Sequence, residues 1–273
     1  MTYQLIAFDM DGTLLDTNKR VLPSTTEAIS DATAAGKVVA ICTGRCPKMV
    51  EVASADFADV RYAICCNGTI VYDLSEQRIL EEHPMPADVV ARCYDALEGE
   101  DVMAEAFSGR GVFFQRSFIE RVATYNMGPY KELYRATATL VDDIAATFHD
   151  PSITIPKFIF HFRDPEARER MIERAADLPV EMAKAEISSL EFTARGTDKG
   201  TGLLALADLL GIPREQTISV GDSYNDLPMI HAAGLGVAMG NSREAVLAAA
   251  GVTVADNDSG GCAEAIRRYL LGE

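Results

Sequence analysis

The chain has 273 residues, a net charge of −16 and a hydrophobic fraction of 48%. This length fits one large α/β domain or two smaller ones, and we expect two. The negative charge argues against general binding to nucleic acid or anionic lipid, because both need a positive field. The apolar runs are shorter than the roughly 20 residues of a membrane-spanning helix, which predicts a soluble protein that does not bind membranes.

The N-terminal residues Met1–Phe8 are typical of a first strand, not of a secretion signal, because no basic region precedes a long apolar run. Six cysteines occur without a Cys-x-x-Cys or Cys/His cluster. We expect buried, reduced thiols and neither zinc ligands nor disulfides. These features predict a cytoplasmic location.

Short apolar runs alternate with helical patterns, which predicts an α/β fold with a parallel sheet covered by helices. The first strand is Leu5–Phe8. The helix that follows has a capping-box pattern at Ser24 and Glu27, and Gly36 can end it before the strand Val38–Cys42. Later runs of the same kind are Ala63–Cys65, Thr217–Val220, Leu235–Ala238 and Val252–Val254.

The pattern changes between residues 84 and 189. A helix is predicted after Pro86, strands at Val112–Phe114 and Lys157–Phe162, and a second helix at Asp164–Asp177. The strand–turn–helix alternation resumes at a helix predicted over Lys199–Leu210. We therefore predict a core domain of residues 1–83 and 190–273, with an α+β domain of residues 84–189 inserted into it. The alternative is a long excursion from a single domain.

Two carboxylates, Asp9 and Asp11, follow the first strand directly. Ligands of open α/β sheets bind at the carboxyl ends of strands. On an extended turn both side chains can face one cleft, the Met10 N–H can face an anion, and Gly12 permits a sharp exit. A solvated acidic turn is the alternative. A calcium loop is excluded because no Glu stands at the twelfth loop position.

A second acidic cluster, Asp222 and Asp226, follows the strand Thr217–Val220. If this strand neighbours the first one, Asp9, Asp222 and the Asp11 carbonyl converge on a hard cation such as Mg²⁺. Asp226 could then hold a metal-bound water. The alternative is again a polar loop.

A third strand end carries Thr43, Gly44 and Arg45. The Thr43 hydroxyl and nearby backbone N–H groups can bind a phosphate oxygen, and Gly44 allows a close approach. The alternative makes Thr43 the N-cap of the helix near Pro47. Arg45 can reach substrate or pair with a carboxylate of the cluster.

Lys199 stands at a predicted helix start, where the helix dipole disfavours a cation. Because this position is unfavourable for a cation, we expect the Lys199 ammonium to neutralise phosphate and carboxylates. The alternative is an exposed surface lysine.

The order of these motifs along the chain, Asp-x-Asp-Gly-Thr, Thr-Gly-Arg, Lys-Gly and Gly-Asp-x-x-Asn-Asp, resembles the four motifs of the haloacid dehalogenase (HAD) superfamily. Further segments resemble its Cof-type, sugar-phosphatase-like members, and the likeness covers the predicted core domain. These segments are Cys66–Gly68, Gly236–Asn241 and Asp256–Gly261.

The resemblance implies a Rossmann-like core with a mobile inserted cap, and a Mg²⁺-dependent phosphatase of small phosphomonoesters such as sugar phosphates. It implies that Asp9 is the nucleophile and that Asp11 protonates the leaving oxygen and later activates water. Thr43 and Lys199 would hold the phosphoryl group, Asp222 would bind Mg²⁺, and Asn225 would contact the phosphate. A monomer or small homo-oligomer is expected.

Two other functions are consistent with these motifs. A phosphomutase would need a bisphosphate activator and a phosphoenzyme that resists water. A non-catalytic phosphometabolite sensor would bind ligands without turnover. Substrate choice is expected to depend on the inserted domain, where Arg110, Arg116, Tyr125 and Lys157 are candidate contacts, although each also fits an ordinary surface or core role.

Overall fold

The computed structural model describes residues 2–109 and 111–273, so Arg110 lies outside the described residues. The chain forms two compact units. The core unit comprises Met1–Arg45, Val50–Glu81 and Thr197–Glu273, and the inserted unit comprises Cys46–Met49 and Glu82–Gly196. The cap function of residues 84–189 remains a prediction.

The N-terminal part of the chain alternates strands and helices, as predicted for an α/β fold. Its strands are β1 (Leu5–Phe8), β2 (Val38–Cys42), β3 (Tyr62–Cys65), β4 (Ile70–Asp73) and β5 (Arg78–Glu82). Its helices are α1 (Pro23–Ala34) and α2 (Pro47–Ala53). The capping-box prediction at Ser24 is wrong, because Pro23 occupies the first helical turn and Leu22 is the N-cap, without a side-chain hydrogen bond.

The inserted unit contains the strands β6 (Val102–Ser108), β7 (Gly111–Gln115), β8 (Ala138–Val141), β9 (Lys157–Phe162), β10 (Val180–Ala185) and β11 (Ser189–Ala194). They form a sheet in the order β10-β11-β9-β6-β7-β8. One face of β9 buries Phe158, Phe160 and Phe162 against apolar helix residues. The helices are α3 (Ala87–Asp95), α4 (Lys131–Thr137), α5 (Ile144–His149) and α6 (Pro165–Arg174).

The C-terminal part completes the core unit. Its strands are β12 (Thr217–Gly221), β13 (Leu235–Ala238) and β14 (Val252–Thr253). Its helices are α7 (Lys199–Leu209), α8 (Leu227–Ala232), α9 (Glu244–Ala249) and α10 (Gly261–Ala265), and a π-helical turn follows at Ile266–Leu271.

The core sheet has the strand order β14-β13-β12-β1-β2-β3-β4-β5, and β3 pairs antiparallel with β4. Its central strand β1 pairs in parallel with β12 on one side and β2 on the other, with Phe8 level with Val220 and Ile41. The first strand and Thr217–Val220 are neighbours, which is the condition on which the predicted cation site depends. The residues after β1, β2 and β12 therefore meet at one edge of the sheet.

Apolar residues from the strands and from α7 and α8 form one buried cluster on a face of this sheet, which includes Leu5, Ala40, Ile64, Leu203 and Met229. All six cysteines are buried, as predicted, and none of them forms a disulfide. Within the described residues, no helix is both long and apolar enough to cross a bilayer.

Candidate active site

Asp9 follows β1 at the carboxyl edge of the core sheet and is buried. Its backbone N–H donates to the Val220 carbonyl at 3.0 Å, which continues the β1–β12 pairing by one residue. Burial raises the pKa of the Asp9 carboxyl, and Lys199 opposes this effect. The next residue, Met10, is fully buried, and the binding of phosphate by its N–H stays a prediction.

Lys199 is the first residue of α7 and its side chain is fully buried. Its Nζ donates to Asp9 Oδ1 at 2.5 Å and to Asp226 Oδ1 at 2.6 Å. Burial alone lowers the pKa of Lys199, but Asp226 and Asp9 outweigh it and raise the pKa above its ordinary value. These two anions also offset the unfavourable helix dipole, so the surface-lysine alternative is wrong.

Asp226 has both carboxylate oxygens engaged and is completely buried. Oδ1 accepts from Lys199, and Oδ2 accepts from the backbone N–H groups of Asp222 and Ser223, both at 2.9 Å. This side chain therefore shapes the loop that follows β12 and orients Lys199. Asn225, in the same loop, is exposed to solvent.

Asp222 is held by the loop that follows β1. The Thr13 hydroxyl donates to Asp222 Oδ1 at 2.7 Å, and Gly12 lies against the same carboxylate with a φ of +85°. Burial raises the pKa of Asp222, and the Thr13 hydrogen bond acts in the opposite direction. Thr13 belongs to the Asp-x-Asp-Gly-Thr motif, but no role was predicted for it from the sequence.

We expect Gly12→Ala to lose activity, because an added Cβ would lie 2.6 Å from Asp222 Oδ2. A misplacement of about 1 Å costs roughly 10²-fold in rate. The matched control is Gly36→Ala, since Gly36 has a similar φ of +75° but nothing within 4 Å of the added Cβ. In urea unfolding, both variants should lose a similar amount of unfolding free energy, because both place a Cβ on left-handed backbone. The value of kcat/KM should fall in Gly12→Ala alone. Equal kcat/KM would contradict this role of Gly12.

The carboxylates of Asp9, Asp222 and Asp226 each offer an oxygen, and these oxygens all lie within 4.8 Å of one another. Carboxylate oxygens are hard donors of the type that Mg²⁺ prefers. Packing several buried anions together is costly without a counter-charge, and Lys199 alone supplies only one. The donor set fits a hard divalent cation.

Thr43 follows β2 and is almost fully buried. Its backbone N–H donates to the Ile64 carbonyl at 2.8 Å, and its hydroxyl accepts from the Arg45 N–H at 3.3 Å across Gly44. Because α2 begins at Pro47, Thr43 does not adjoin the helix and the N-cap alternative is wrong.

Asp11 is held by two cations. Arg45 Nη2 lies 2.9 Å from Oδ1 and 2.8 Å from Oδ2, and Lys19 Nζ lies 2.8 Å from Oδ1. Burial raises the pKa of Asp11, but Arg45 and Lys19 outweigh it, and the net effect lowers the pKa. Arg45 thus pairs with a carboxylate of the cluster, one of the two roles considered for it, and its contact with substrate stays a prediction. Lys19 was missed.

The other candidate contacts have partners inside the inserted unit. Arg116 pairs with Asp142 at 3.1 Å, the Tyr125 hydroxyl donates to Asp101 at 2.6 Å, and the buried Lys157 ammonium donates to Glu191 at 2.9 Å. These contacts agree with the ordinary surface and core roles that the sequence left open.

Comparison with known proteins agrees with this geometry. Residues 6–266 match the sequence profile of the haloacid dehalogenase-like hydrolases. The chain belongs to this family. It is 30% identical to the pyridoxal phosphate phosphatase YbhA of Escherichia coli, over 99% of this chain and 100% of that protein.

A second relative, the phosphatase YwpJ of Bacillus subtilis, is also 30% identical, over 98% of this chain and 100% of its own length. Among solved structures, a haloacid dehalogenase-like hydrolase from B. subtilis superposes with a TM-score of 0.82 at 27% identity, covering 97% of this chain and 99% of that one. The chain is thus an enzyme, a phosphatase of the haloacid dehalogenase type with the predicted α/β core fold.

Proposed function

We propose that the chain hydrolyses small phosphomonoesters with the help of Mg²⁺, through an aspartyl-phosphate formed on Asp9. The observation that carries the proposal is the buried Lys199 ammonium between Asp9 and Asp226, 2.5 Å and 2.6 Å from their carboxylates. It places a fixed cation beside a carboxylate at the edge of the sheet where α/β folds bind ligands. A phosphoryl group that enters there meets a nucleophile and a positive charge together.

In the first step an Asp9 oxygen attacks phosphorus and the ester P–O bond breaks. The departing oxygen takes a proton from Asp11, which has to be protonated at this point although Arg45 and Lys19 favour its charged form. In the second step Asp11 takes a proton from water as that water attacks phosphorus, and the bond between phosphorus and Asp9 breaks. Inorganic phosphate leaves, and both carboxyl groups return to their starting protonation states.

The remaining residues bind the phosphoryl group and orient the reacting carboxylates. Lys199 balances the charge of the phosphoryl oxygens, and the Thr43 hydroxyl with the Met10 and Gly44 backbones holds those oxygens in line with Asp9. Arg45 and Lys19 hold the Asp11 carboxylate between attacks, and we propose that Asn225 contacts the substrate phosphate.

Mg²⁺ would be held by Asp9, Asp222 and the Asp11 carbonyl, with Asp226 behind them, and it would stabilise negative charge on the phosphoryl group. Asp222 is available for this because Thr13 occupies only one of its oxygens. The six buried cysteines, none of which forms a disulfide, support a reducing, cytoplasmic location.

Small phosphorylated metabolites are the proposed substrate class, with sugar phosphates first and pyridoxal phosphate included because YbhA is named for it. The test is phosphate release across a panel of such compounds, compared by kcat/KM. A phosphomutase would instead yield isomerised sugar phosphate without free phosphate, and a sensor would bind members of the panel without turnover.

We expect chelation with EDTA to reduce phosphate release to the background rate, and added Mg²⁺ to restore it. The physical reason is that the buried carboxylates repel an incoming phosphate until a divalent cation neutralises them. Calorimetric titration of Mg²⁺ into wild type and Asp222→Asn tests the site without turnover, and binding should weaken at least tenfold in the variant. The control is Asp59→Asn, an exposed carboxylate. Activity that survives complete chelation would contradict the magnesium role.

A further inference from the structure

The turn Cys66–Gly68, here named the bridging turn, follows β3 and has a conformation that is uncommon in L-residues. Its φ angles are +52° at Cys66, +56° at Asn67 and +98° at Gly68. Left-handed backbone is costly for residues with a Cβ, although Asn and Gly tolerate it well. Three such residues in succession indicate that the surrounding contacts require this shape.

On one side the bridging turn is hydrogen-bonded to the loop Thr43–Arg45 that follows β2. The Asn67 N–H donates to the Thr43 carbonyl at 3.0 Å, and the Cys66 N–H donates to the Arg45 carbonyl at 2.9 Å. The turn is buried. Because buried backbone groups must keep their partners, the position of the Thr43 peptide depends on the conformation of this turn.

On the other side the turn packs against the start of α7, which carries Lys199. A Cβ added at Gly68 would lie 1.9 Å from the Asp198 carbonyl oxygen. A Cβ at Gly202 would lie 2.6 Å from the Gly68 Cα and 2.5 Å from Ile64 Cγ2. Backbone meets backbone here, so an added methyl group displaces the helix start instead of rotating a side chain.

We propose that the bridging turn is a positioning element that couples Thr43 to Lys199, so that both phosphate-binding groups keep one relative geometry. The inference rests on the proposed function and adds residues that act only through others: Asn67 and Gly68 in the turn, and Gly202 in the helix. They set where the phosphoryl group is held and touch neither substrate nor metal.

The test compares two glycine variants with the same kind of clash. Gly202→Ala perturbs the packing of the start of α7, which carries Lys199, against the bridging turn. Gly234→Ala places a Cβ 2.7 Å from the carbonyl oxygens of Arg214 and Glu215, immediately before β13 begins and thus at the opposite edge of the sheet. Calorimetric binding of inorganic phosphate with Mg²⁺ present is the readout, together with kcat and KM for p-nitrophenyl phosphate.

The expected result is that phosphate binds Gly202→Ala at least tenfold more weakly than wild type, while Gly234→Ala binds it within twofold. Wild-type phosphate affinity in a folded Gly202→Ala protein would overturn the coupling and leave the proposed function intact. Failure of the wild type to bind phosphate at all would overturn both.

A second pair of variants tests the positioning role of the bridging turn if Gly202→Ala does not fold. Asn67→Gly keeps the ease of left-handed backbone, whereas Asn67→Ala removes it, and both remove the same amide. Weaker phosphate binding in the alanine variant than in the glycine variant supports the positioning role of the turn. Equal affinity in the two variants would overturn it.

Discussion

Asp9→Asn is expected to lower kcat by on the order of 10⁴-fold or more, the scale found when a covalent nucleophile is removed. An amide cannot attack phosphorus as a carboxylate does. The replacement has nearly the same size and can still accept a hydrogen bond from Lys199, so the loss should not come from unfolding. Phosphate release with Mg²⁺ measures the effect, and Asp59→Asn serves as the control at an exposed position.

The same variant tests the covalent intermediate. Acid quenching of wild-type enzyme with a ³²P-labelled phosphomonoester should trap label on protein, and hydroxylamine should release that label, as expected of an acyl phosphate. Asp9→Asn should trap none. Stable incorporation of label into Asp9→Asn would show that another residue accepts the phosphoryl group, and the mechanism proposed for Asp9 would then be wrong.

The convergence of Asp9, Asp222 and Thr43 was predictable because it depends on simple signals. Each follows a short apolar run, and such runs form neighbouring parallel strands whose carboxyl ends share one edge. Lys199 was predictable for a different reason. A cation at a helix start is unfavourable by itself, which indicated compensation elsewhere, and Asp9 and Asp226 provide it.

Other features of the site depend on contacts that leave no local pattern. Lys19 Nζ lies 2.8 Å from Asp11 Oδ1, in a turn where Lys19 has a left-handed φ of +61°. The clash that excludes a Cβ at Gly202 involves Gly68, a residue far away in sequence. In the inserted unit, the 3-10 helix at Arg116–Tyr125 was missed because its three-residue period differs from the 3.6-residue pattern of an α-helix.

Lys199→Met should cost both catalysis and stability, for separate reasons. Loss of a fixed positive charge that stabilises the transition state typically costs roughly 10²–10³ in kcat. Removing one partner of a buried ion pair typically costs about 3–5 kcal/mol of unfolding free energy, because the remaining charge is buried without compensation. Here the carboxylate left without its cation is that of Asp226, whose side chain is completely buried. Lys184→Met, which removes an exposed pairing with Glu169, should leave stability almost unchanged.

The double variant Lys199→Met/Asp226→Asn separates the two effects. The introduced asparagine can still accept from the backbone N–H groups of Asp222 and Ser223 through its amide oxygen, and it carries no charge that needs a partner. Urea unfolding without Mg²⁺ should therefore show most of the lost stability restored in the double variant. Phosphate release should stay at the level of the single Lys199 variant, because the cation that faces the phosphoryl group is still missing. If removing the Asp226 charge also restored turnover, Lys199 would serve only to neutralise Asp226, and its contact with Asp9 would have no part in catalysis.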